Sequence, residues 1–192
     1  MGTKAKWRGD KLAFHSAPMF TGVAAMTANV TASSSGTKTE TVIIAAPDYA
    51  VNWTTNTNQA FRAVAGGVIS ATSATCALTL RRGTVDIVAV TLNNSSAAVS
   101  STNVPWGVEF NGRIVNVDSS GMIAAAGKAW ATWSGGTTTV CNGTTGAGTA
   151  YASSGHALTS NSATGLNITF QMSTAAGSAI TATHGYIQFF EG

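Results

Sequence analysis

Apolar and polar residues alternate through several short runs of this chain, and a period of two predicts strands rather than helices. The clearest run is Leu166 to Ser173, where Leu166, Ile168, Phe170 and Met172 point one way and Asn167, Thr169, Gln171 and Ser173 the other. After a Gly-containing stretch from Ala175 to Ser178, a second extended run, Ile180 to Glu191, reads as its partner in a terminal hairpin. Val104, Trp106, Val108 and Phe110 alternate with Pro105, Gly107, Glu109 and Asn111, and Asn111-Gly112 offers a type I′ turn into Arg113 to Val117. A further hairpin is predicted from Cys76 to Leu80, through Arg81-Arg82-Gly83, into Thr84 to Leu92, closed by the loop-forming Asn93-Asn94-Ser95-Ser96. Strands are also predicted at Glu40 to Ala46, Phe61 to Ser70 and Lys128 to Trp133.

Roughly eight to ten short strands separated by turn residues specify an all-β fold, here a single β-sandwich or jelly-roll-like domain. The domain is expected over residues 16–192, preceded by a basic N-terminal arm over residues 1–15. Helix signals are thin. Met122 to Trp133 contains Ala124-Ala125-Ala126 and offers an alternative of one or two helical turns, but Gly127 interrupts it and no capping box precedes it. Thr27 to Thr39 and Gly135 to Asn161 are rich in Ser, Thr, Gly and Ala, which predicts long surface loops or edge structure.

Composition sharpens this picture. Only 9% of the 192 residues are charged, against about 25% in an ordinary globular domain. Solubility therefore rests on Thr, Ser, Asn and Gly, and Thr suits a pleated, half-buried surface. Lys4, Lys6, Arg8 and Lys11 against Asp10 place the whole net charge of +3 in the first eleven residues. Basic and acidic side chains cancel over the rest of the chain, so no nucleic-acid-binding face is expected. No apolar run of signal-peptide or membrane-span length is present, and Lys6 stands where a myristoylation signal needs Ser or Thr. The expectation is a protein that meets no membrane and is kept, or assembled into a particle, in a cytoplasm.

The chemistry-bearing residues are few and scattered. Cys76 and Cys141 lack metal-type or redox-type spacing and read as two buried thiols, with a disulfide left open. His15, His156 and His184 match no metal-site spacing, so neither metal nor cofactor is expected. Gly121 to Ala129 resembles a phosphate-binding loop, but the glycines are one residue too far apart and Ala129 cannot ligate magnesium, so the segment reads as a turn. Asp86, Glu109 and Asp118 lie on neighbouring predicted hairpins and are the carboxylates that could converge for acid–base work; without a nucleophile-elbow pattern, no enzyme is expected. Arg8-Gly9-Asp10 spells an adhesion tripeptide but sits within the basic arm. The five tryptophans, Trp7, Trp53, Trp106, Trp130 and Trp133, are the stronger clue, because an exposed Trp on a polar surface anchors sugars and protein interfaces.

The arm Lys6-Trp7-Arg8-Gly9-Asp10-Lys11-Leu12-Ala13-Phe14, the Ala/Thr/Ser/Gly-rich body and the closing Tyr186-Ile187-Gln188-Phe189-Phe190-Glu191 resemble small tailed-phage virion proteins. The resemblance implies a β-rich subunit, often trimeric, that binds the outside of a capsid or forms part of a fibre, and it brings no catalytic residues. The expected role is thus a virion protein that decorates or cements a capsid. Its expected partners are copies of itself, as a homotrimer, and the major capsid protein or another virion component. In the arm, Lys4, Lys6, Trp7, Arg8 and Lys11 are the candidate docking residues: one large apolar anchor flanked by charges that steer an encounter. A tail or fibre adhesin contacting a host surface, and a carbohydrate-binding module, are the alternative roles.

Overall fold

In the computed structural model, the residues described are 20–33, 40–45, 59–71, 75–93, 101–116, 121–132, 138–142, 151–153, 165–172 and 178–190. Every regular element among them is a strand: β1 (Phe20–Ala25), β2 (Val30–Ser33), β3 (Thr41–Ala45), β4 (Ala60–Ala71), β5 (Thr75–Arg82), β6 (Val85–Asn93), β7 (Ser101–Asn116), β8 (Met122–Thr132), β9 (Thr138–Asn142), β10 (Tyr151–Ser153), β11 (Leu166–Met172) and β12 (Ala179–Phe190). They form two antiparallel sheets packed face to face, the β-sandwich expected from the alternating pattern.

The larger sheet has eight strands with β12, β4, β7 and β8 at its centre. Each of its outer edges is shared by two short strands in line: β1 and β2 both pair with β12, and β9 and β10 both pair with β8. The Thr27 to Thr39 and Gly135 to Asn161 stretches thus supply edge strands, as their composition suggested. The smaller sheet runs β3-β11-β5-β6. Between the sheets lies one core, in which Phe61, Trp106, Phe110, Ile123, Ile180 and Phe189 face Leu78, Leu80, Val90, Leu92, Ile168 and Phe170. The rings of Phe61 and Phe189 sit 6.1 Å apart at 50°, a tilted pair suited to their quadrupoles. Trp106 is buried with its indole N–H donating to the Thr181 carbonyl at 3.3 Å, which offsets the cost of burying that donor.

Three expectations are corrected. Asn111-Gly112 is not a turn, because β7 runs unbroken through it as a central strand. Gly112 is needed there for packing: a Cβ at that position would lie 2.3 Å from Phe61 Cζ and 2.6 Å from the Ala124 carbonyl oxygen. Asn111 points outward and is exposed. Second, β11 and β12 do not form a terminal hairpin. β11 pairs with β3 and β5 in the small sheet, while β12 lies in the large one, so their apolar faces meet the same core from opposite sides. Alternation fixes which face is buried but not which strand pairs with it. Third, Met122 to Thr132 is neither helix nor phosphate loop nor turn but strand β8, with Gly127 admitting the Phe110 ring, whose Cδ1 would be 2.5 Å from a Cβ there. The β5–β6 hairpin forms as expected, its turn moved one residue onward to Gly83-Thr84, where Gly83 takes the left-handed φ of 58° that glycine tolerates best.

Candidate functional site

The outer face of the large sheet, turned away from the core, carries the side chains most suited to binding. Its four central strands are in register across one row: His184 on β12 pairs with Gly66 on β4, Gly66 with Gly107 on β7, and Gly107 with Trp130 on β8. Two glycines thus occupy the middle of the row and two ring-bearing residues its ends. The rings lean inward over the glycines. A Cβ at Gly107 would lie 2.7 Å from both Nε1 and Cε2 of Trp130, and one at Gly66 would lie 2.6 Å from Nε2 of His184. The glycines are therefore the seats of the rings. Trp130 remains 40% exposed, a large share for a tryptophan, and His184 is exposed as well. With neighbouring strands about 4.8 Å apart, this row spans about 14 Å.

A local irregularity places His184. The pairing of β12 with β4 slips between Ala182 and His184, so Thr183 and His184 both turn outward between Ala182 and Ile187, which face the core. Gly67 permits the slip, since a Cβ there would stand 2.0 Å from the Thr181 carbonyl oxygen. The Thr183 hydroxyl and Nδ1 of His184 are 3.2 Å apart, within hydrogen-bonding reach.

The next row along the same face is Tyr186, Val64, Glu109 and Lys128. Glu109 is its electrostatic centre. Asn111 donates to Oε1 at 2.8 Å, Arg62 Nε lies 3.1 Å from the same oxygen as an ion pair without hydrogen-bond alignment, and Lys128 Nζ is 3.9 Å from Oε2. The Asn111 hydrogen bond first, then Arg62 and Lys128, hold the Glu109 carboxyl below the ordinary glutamate range against partial desolvation. The charge of Glu109 is thus met within its own face.

The outer face of the small sheet is built differently. Glu40, just before β3, joins Arg81 of β5 and accepts from the Thr169 hydroxyl of β11, and Arg81 also pairs with Asp86 of β6. One polar chain ties β11, β5 and β6 to the residue leading into β3. The hydrogen bond to Asp86 is the main reason that Arg81 holds its proton more firmly than a free guanidinium. Thr79 and Thr169 are buried on this sheet.

Asp86 and Glu109 do not come together, each lying on a different sheet with its own cationic partner; Asp118 lies outside the described residues. Among the described residues no group of three or more His, Cys, Asp or Glu converges. Cys76 is a free, fully buried thiol, pushed up to about 12 by desolvation. Cys141 lies on the backbone of β9. The arm residues Lys4, Lys6, Trp7, Arg8 and Lys11, together with His15, His156, Trp53 and Trp133, lie outside the described residues. Sequence reasoning named Trp130 and His184 without placing them together, weighed His184 only as a metal ligand, and gave Gly66, Gly107 and Tyr186 no role in a site. Glycines inside strand patterns were the available signal, because they mark bulges and close approaches. No protein-family model matches the chain, and no curated protein matches it.

Proposed function

We propose that this chain is a non-enzymatic structural subunit that associates with copies of itself through the outer face of the large sheet and, so assembled, decorates or cements a phage capsid. Trp130 carries the reading: a large indole seated on Gly107 and left 40% exposed on a face whose one described carboxylate, Glu109, already has its cations. Such a face can be buried by another surface of a neighbouring copy, as a closed trimer requires, without stranding Glu109 unpaired, and exposed aromatic residues are the usual anchors of protein interfaces. The resemblance to tailed-phage virion proteins supports a trimer as the assembled form and the major capsid protein as the larger partner. The basic arm, with Trp7 among Lys4, Lys6, Arg8 and Lys11, supplies a second contact with that partner.

Sedimentation velocity of the full chain at micromolar concentration, followed by co-sedimentation with undecorated capsids, tests both halves. Association of the chain, and capsid binding that weakens with salt and on deletion of residues 1–11, supports the proposal. A monomer that binds no capsid refutes it. Trp130 also favours one second reading, an adhesin or sugar-binding subunit, because an exposed indole beside polar groups is a stacking site for a glycan. Glycan-array binding by the free protein, lost in Trp130→Ala, would establish that role instead.

A further inference from the structure

We propose that self-association through the large sheet is sensitive to acid, and that His184 is the sensor. The inference rests on the self-association reading above. Four observations carry it. His184 stands at one end of the row whose other end is Trp130, so a partner that covers the indole face also covers the imidazole. The imidazole is held there by construction, over the space left by Gly66 and on a register slip that turns it outward. Its Nδ1 lies 3.2 Å from the neutral Thr183 hydroxyl. Finally, the charged side chains described on this face are Arg62, Arg113 and Lys128 against Glu109, three cations to one carboxylate that is already engaged by Arg62 and Lys128. Tyr186 is the other titratable group of the face, on the neighbouring row. Gly66 on β4 and Met26, whose N–H donates to the Gly185 carbonyl beside His184, bring no charge.

The sign follows. Histidine, when unperturbed, changes charge between pH 5 and 8. Burying the imidazole against a neutral or cationic surface disfavours its charged form, so the assembled state binds the proton less readily than the separated subunit. Association is therefore strongest when the imidazole is neutral and weakens as pH falls. A particle would hold its subunits at neutral pH and loosen them in an acidic compartment.

Sedimentation velocity on the full chain at pH 8 and pH 5, with circular dichroism confirming that it stays folded at both, gives the test. The expected result is a dissociation constant at least about tenfold weaker at pH 5 for the natural chain, and no such change for His184→Gln, which cannot take up the proton. Trp130→Ala should weaken association at both values and keep the ratio between them. A pH-independent association of the natural chain, or the same pH dependence in His184→Gln, overturns the acid sensor while leaving self-association standing. A monomer at every pH overturns both.

Discussion

The two outer faces of this sandwich use polar residues to opposite ends. On the small sheet, Thr169, Glu40, Arg81 and Asp86 form one chain that joins β11, β5 and β6 to the residue leading into β3, so each of these polar groups is spent on a neighbouring segment. On the large sheet, Arg62, Glu109, Asn111 and Lys128 link only β4, β7 and β8, and beside them Trp130 and His184 rest on glycines with their surfaces exposed. The first face ties its strands to one another, with Val42 of β3 left exposed beside them. The second carries an indole and an imidazole left exposed, the imidazole within hydrogen-bonding reach of the Thr183 hydroxyl on its own strand, and such a surface suits the binding role proposed for it in a chain so poor in charge.

The contrast can be broken from either side. The largest effect is expected from Trp130→Ala, which should weaken self-association by about 2 kcal/mol, roughly 30-fold, with the melting temperature of the separated subunit nearly unchanged. Equilibrium sedimentation and a thermal melt at low concentration check the two halves. Gly107→Ala should come next. The new Cβ displaces the Trp130 ring, whose far atoms can move, so association falls about tenfold, or about 1.4 kcal/mol, and tryptophan fluorescence shifts to the red. Arg81→Ala should do the reverse: it removes the cation that Glu40 and Asp86 share and costs about 1 kcal/mol of stability in urea unfolding, while leaving self-association as it was.

The smallest effect concerns Glu109. Its carboxyl is held below the ordinary glutamate range by Asn111 first, then by Arg62 and Lys128. A group with a depressed folded-state value contributes stability above its unfolded value, and this contribution disappears as pH falls through the folded value. Because Arg62 is 43% exposed and solvent screens the pair, the difference should be only about 0.5 kcal/mol. Urea unfolding of the natural chain and of Glu109→Gln, at pH 7 and pH 3, should show the natural chain losing that much more on acidification. An equal loss in both would mean that the cations do nothing for Glu109.

What could be read in the sequence follows from what a period of two encodes. Leu166, Ile168, Phe170 and Met172, or Val104, Trp106, Val108 and Phe110, announce strands with one buried face, and the sandwich follows from having many of them. Partner choice is not encoded so locally, which is why Leu166 to Met172 and Ile180 to Phe190 invited a hairpin although their strands lie in different sheets. Asn111-Gly112 shows the same gap. The dipeptide suits a type I′ turn, but it also suits a central strand in which Phe61 occupies the place of a side chain at 112. The candidate site was hidden for a related reason. Gly66, Gly107, Trp130 and His184 are far apart in the chain, and only the strand register sets two rings onto two glycines.

The path of the chain between the sheets also sets an order of events during synthesis. The chain changes sheets after β2, β3, β4, β6, β10 and β11. Few neighbouring segments can bury their apolar faces on each other, and β12, which bridges β4 to both β1 and β2, leaves the ribosome after every strand it joins. Until then β1 and β2 have no sheet to belong to. Folding should therefore be slow and nearly all-or-none, as expected when pairings are distant in sequence. A chain interrupted before residue 179 would present the open edge of β4 to other chains. Unfolding would have to undo the same long-range closures, which slows the loss of the native state.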